Sequence, residues 1–185
     1  MKELLLKLKA CGPAIDWAGD KTIEEIWETC HRGDWMLWLA RKLNIDKRVL
    51  TIAKGHCANT VRHLMKDERS IAAVDMAIKY GEGNATDSEL AAAADAAYAA
   101  TADAYDAYAA DYAADAAAAY AADVAAAAAA YDATAYAAAA DAAYDATADA
   151  DARKQSQQAT AEICRKYIPF ELILSGIKSQ EKQKA

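Results

Sequence analysis

Through the first 83 positions apolar residues recur at three- and four-residue spacing, and each recurrence is bounded by a residue that starts or stops a helix. Lys2–Ala10 sets Leu4, Leu5 and Leu8 on one face, and Gly12-Pro13 ends it. Ala14–Gly19 reads as a short linker carrying Trp17. Thr22-Ile23-Glu24-Glu25 has the form of a capping box, in which a hydroxyl and a glutamate three residues apart satisfy each other's backbone N–H. It opens a helix to about Cys30 that buries Ile23, Ile26 and Trp27. Gly33 breaks the pattern, and Asp34 caps a helix over Trp35–Leu43. Asp46 caps the next, which runs through Leu50, Ala53 and Cys57 to Val61 and Leu64, and Ser70 starts one with Ile71, Val74 and Ile78 on one face. These short helices carry all four Trp and form the densest apolar core in the chain. At the other end, Pro169–Ile177 predicts a last short helix whose Phe170, Ile173, Leu174 and Ile177 dock on that core, followed by a charged tail.

Between Asn84 and Ala152 the pattern changes. These 69 residues contain 40 Ala, 12 Asp, one Glu and eight Tyr, with no Gly, Pro, Lys or Arg. Ala is the best helix former and the two strongest breakers are missing, so the stretch reads as helix. Its start is marked by Gly81-Glu82-Gly83-Asn84 and by a second capping box, Thr86-Asp87-Ser88-Glu89. Its end is marked by Arg165, Lys166 and Pro169. Unbroken, residues 87–167 would make a rod of about 120 Å. Turns at Asp132-Ala133-Thr134 or Asp145-Ala146-Thr147 would instead fold it back. Seven of the eight Tyr fall within an arc of about 140° on a helical wheel, Tyr136 being the exception. Close Ala–Ala helix packing with Tyr in the seam or at its edges follows. The expected fold is all-α: a helical head over 1–83, Ala-rich helices over 84–168 folded back as a bundle or hairpin (one long rod being the alternative), and a helix and tail over 169–185.

Charge sharpens this picture. The 185 residues carry a net charge of −7, distributed as +2 over 1–83, −13 over 84–152 and +4 over 153–185. Arg32–Arg69 alone is +5. An acidic helical surface attracts a basic partner and repels nucleic acid, so direct nucleic-acid binding by this region is not expected. The carboxylates and rings of Asp103, Asp106, Asp111, Asp115, Tyr105, Tyr108 and Tyr112 are the candidate contact residues. The Ala run holds too many Asp to span a bilayer, and the amino terminus reads as an amphipathic helix, not a signal peptide. Cys11, Cys30, Cys57 and Cys164 contain no CxxC spacing, which fits reduced thiols in the cytoplasm.

No motif announces a chemistry. Cys30-His31, His56-Cys57 and His63 are the metal-capable residues, but adjacent Cys-His pairs diverge on a helix and the spacing matches no finger. Gly81-Glu82-Gly83 lacks the strand, spacing and Lys of a phosphate loop. Thr101 and Thr134 nearly align on a wheel while Thr86 and Thr147 do not, which argues against an ice-binding row. The expectation is therefore no enzyme, no cofactor and no metal.

Ile26–Asn44, IWETCHRGDWMLWLARKLN, resembles a helical, Ala-rich immunity-protein family of bacteria and phages associated with polymorphic toxins. The resemblance rests on the Trp27–Cys30 helix, the Arg32-Gly33-Asp34-Trp35 junction, the Trp38-Leu39 pair, the Ala-rich run and the segment Gln157–Tyr167. It implies an immunity or counter-defence protein that neutralises a toxin or defence effector by binding. The alternative is a self-assembling oligomer that sequesters a small ligand such as a nucleotide signal.

Overall fold

The computed structural model describes the backbone of residues 2–65, 67–106 and 150–182, with side chains for 2–63, 65, 67–99, 154–180 and 182. Every regular element among these is helical. In order they are α1 (Lys2–Lys7), α2 (Gly12–Ala18), α3 (Ile23–Thr29), α4 (Gly33–Lys42), α5 (Lys47–Asn59), a 3-10 turn (Arg62–Leu64), α6 (Glu68–Gly81), α7 (Asp87–Asp106), α8 (Ala150–Tyr167) and α9 (Phe170–Lys182).

Local chemistry accounts for most of the boundaries. Both capping boxes form: Glu25 N–H donates to Thr22 Oγ1 at 3.2 Å while Thr22 N–H donates to Glu25, and Thr86 with Glu89 repeats the exchange. Asp46 caps α5 through the N–H groups of Arg48 and Val49. Helices α1, α4 and α6 end in Schellman turns, each through one left-handed residue: Lys9 (φ 62°), Asn44 (φ 56°) and Gly83 (φ 84°). In each, that residue's N–H bonds back three positions and the next N–H bonds back five, as in Ala10 to Leu5 at 2.9 Å. Gly and Asn are the usual occupants of such a position; Lys9 is not.

Several expected boundaries are corrected. Pro13 starts α2 as well as following α1, because its fixed φ suits a first helical turn; the expected linker Ala14–Gly19 is thus mostly helix. Asp67, not Ser70, caps α6, its carboxylate taking the Arg69 N–H at 2.8 Å. Asp34 lies inside α4 and pairs with Arg32 instead of capping. Helix α5 stops at Asn59, where the Thr60 hydroxyl donates to the Cys57 carbonyl at 2.7 Å. Helix α9 continues past Ile177 to Lys182, with the Gln180 amide reaching the Lys42 carbonyl at the end of α4.

Two cores share α5. The larger one draws Leu5, Ile26, Trp27, Leu39, Cys57, Cys164, Ile168 and Ile173 together from both ends of the chain. Its deepest positions on α4 and α5 are Ala40 and Ala53, both fully buried. The smaller core joins Ala58 and Met65 to Val74, Ala77 and Tyr80 of α6 and to Leu90, Ala94 and Ala97 of α7. Close helix approach is set by glycine. A Cβ on Gly81 would lie 2.2 Å from Ile52 Cβ, and one on Gly33 would lie 2.6 Å from the Thr160 backbone. Helix α8 packs on α4 and α5, while α7 packs on α6. Both described ends of the Ala-rich region therefore rest on the head, and the expected choice between a bundle or hairpin and one rod falls on residues 107–149, which lie outside the described residues.

Candidate functional site

The acidic region begins at α7, and the head pins its first turn. Lys47 pairs with the Asp87 carboxylate, to which the Tyr80 hydroxyl also donates at 3.0 Å. Arg48 donates to the Tyr80 carbonyl at 2.6 Å, and its guanidinium lies 4.4 Å from the Tyr80 ring centre. The Lys47 partnership holds the Asp87 carboxyl below its ordinary range, and the Thr86 backbone N–H does the same for Glu89. Aromatic, cations and carboxylate thus lock the entry to α7, with the carboxylates also facing the positive end of the helix dipole.

Beyond that turn α7 is two-faced. Leu90, Ala94 and Ala97 bury against α6. Ala91, Ala92, Asp95 and Ala99 are exposed, and Tyr98 is 44% exposed. The first Tyr of the stripe therefore stands at the edge of the packed seam. Helix α7 carries Asp87, Glu89, Asp95, Asp103 and Asp106 and no basic residue. Of the predicted contact residues, Asp103, Tyr105 and Asp106 fall on its last turns, with side chains outside the described residues. Tyr108, Asp111, Tyr112 and Asp115 lie outside the described residues altogether.

Cys30, Cys57, Cys164, His31 and His56 have packing roles, while Cys11 is exposed. The buried thiol of Cys164 donates to the Gly33 carbonyl at 3.5 Å, and that of Cys57 to the Thr160 carbonyl at 3.8 Å. Its hydrogen bond to Cys57, together with burial, pushes the Cys164 thiol well up, and burial raises Cys30. Neither is thereby an activated nucleophile. His56 stacks on Tyr167 at 4.2 Å, and burial lowers its pKa. His31 meets Trp17 edge-on at 5.9 Å, and His63 is exposed. Among the described residues no group of three or more His, Cys, Asp or Glu is placed to hold a metal ion.

The structural roles of two residues were not legible in the sequence. Arg165 on α8 donates to the Trp27 and Cys30 carbonyls at 3.2 and 2.9 Å, closing the end of α3. With Gly33 seated on Thr160, this makes the Arg32-Gly33-Asp34-Trp35 junction the place where α8 docks. Lys54 on α5 is largely buried, and that burial, with the nearby charge of Arg41, pushes it down to about 8. Its place on the same helical face as Leu50 and Cys57 is the signal that could have found it.

No protein-family model, curated protein or solved structure matches the chain. No helix among the described residues is long and apolar enough to cross a membrane. The four cysteines are free thiols.

Proposed function

We propose that this is a non-enzymatic helical binding protein, of the immunity or counter-defence kind, that inhibits a protein toxin or defence effector through the acidic surface opened by α7. The observation that carries the reading is the asymmetry of α7. One face is packed on α6, while Asp95 and its neighbours stand exposed with no cation on the helix. Such a surface steers a basic partner and discriminates against acidic ones. The resemblance of Ile26–Asn44 to the immunity-protein family points the same way. In the fold that segment forms scaffold, so it speaks for architecture, and the acidic face is assigned the contact.

The exposed Ala91, Ala92 and Ala99 beside Tyr98 favour one second reading, self-association of copies through close Ala contacts. Light scattering across concentration separates the two, since a strict monomer removes the second. The first is tested by replacing Asp95, Asp103, Asp106, Asp111 and Asp115 with Lys and repeating capture of a host protein at low salt. Loss of capture in the variant, together with salt-weakened capture by the wild type, is expected. Equal capture by both proteins ends the proposal.

A further inference from the structure

A cavity of about 310 Å³ opens between α1, α2, α3 and α4, and all four tryptophans line it: Trp17, Trp27, Trp35 and Trp38. Ordinary interior voids are far smaller, and this volume falls at the lower end of the range of small-molecule sites. Met36 and Leu39 add apolar wall, and Lys9 is the one charged residue among the described residues of the lining. No Asp or Glu is among them. Cations also lie over three of the indole rings, one of them, Arg32, being paired with Asp34. Lys21 lies 4.6 Å from the Trp17 ring centre, Arg32 lies 4.7 Å from that of Trp35, and Lys42 lies 6.0 Å from that of Trp38.

We propose that this cavity binds a small aromatic carboxylate, with its ring system among the indoles and its acid group against Lys9. Indole walls favour a flat guest that can meet them edge-on or offset-stacked. The single cation of the lining, with no carboxylate beside it, selects an anion over a cation of the same shape. The backbone at Lys9 fits the assignment. It is the Schellman turn with neither Gly nor Asn in the left-handed position, and it is the one that borders the cavity. Any residue with a Cβ is strained in that conformation, and Lys9 holds it where it lines the cavity while staying exposed to solvent.

The test is calorimetric titration of the full chain with 2-naphthoate, with its neutral isostere 2-naphthalenemethanol, and with the cationic 2-naphthylmethylammonium. Saturable one-to-one binding is expected, tightest for the carboxylate and weakest for the cation. Lys9→Gly relieves the backbone, so its melting temperature should rise while naphthoate affinity falls roughly three- to fivefold and the alcohol is unaffected. Ala14→Phe, or Ala10→Leu should the first fail to fold by circular dichroism, fills the cavity and should abolish binding of all three. Absence of saturable binding overturns the proposal. So does equal affinity for carboxylate and alcohol, or unchanged binding in a folded cavity-filled variant.

Discussion

Lys54 shows how a single position can work against its own helix. It lies between Leu50 and Cys57 on the inward face of α5, and burial penalises its charged form. The folded protein releases this proton near pH 8, while the unfolded chain holds it to about 10.5. Between those values the unfolded state binds more protons, so stability rises with pH across that window and the full cost applies below it. Lys54→Met should therefore stabilise the protein at pH 7, by about 1–2 kcal/mol once local solvent access is discounted. The gain should shrink at pH 10. Urea midpoints of both proteins at the two pH values check this, and an unchanged midpoint at pH 7 contradicts it.

Elements were legible in proportion to how local their determinants are. Thr22 with Glu25 and Thr86 with Glu89 are four-residue signals, and both formed. Thr86→Ala should accordingly cost about 1 kcal/mol and speed amide exchange in the first turn of α7, with α3 unaffected. Equal exchange rates would contradict it. Competition between local signals was harder to read. Pro13 can follow one helix or begin another, and Asp67 and Ser70 both have the chemistry of a cap. Non-local contacts were legible only as apolar patterning, which placed Phe170, Ile173 and Ile177 on the amino-terminal core; the individual polar partners were not. Nothing near Cys30 announces that a guanidinium from α8 will take its carbonyl, and nothing in the spacing of four Trp between positions 17 and 38 announces a shared cavity. The acidic surface was legible as composition, and α7 supplies its exposed members Asp87, Glu89, Asp95 and Tyr98.

In the molecule as a whole, α5 couples two cores of different character. The four Trp belong to the larger core or pack against it, and the smaller core contains none. Indole fluorescence therefore reports one core, while far-UV ellipticity also reports α6 and α7. The two signals should melt together in urea, because α5 and α6 meet at backbone distance through Gly55 and Gly81. Gly81→Ala drives a methyl into Ile52 and should cost about 1–3 kcal/mol. Its ellipticity midpoint should fall below its fluorescence midpoint. Coincident midpoints in that variant would show the cores to be joined elsewhere.

The hydrogen bond from Arg165 to the Cys30 carbonyl spans 135 residues of chain. On the ribosome, at about 5–20 residues per second, the segment that closes α3 is made roughly 7–27 s after α3 itself. The nascent head must wait through synthesis of the whole Ala-rich stretch with Trp27 and its neighbours incompletely covered. A chain stalled before position 165 would thus present a chaperone with the apolar faces of α4 and α5 that α8 covers in the finished protein.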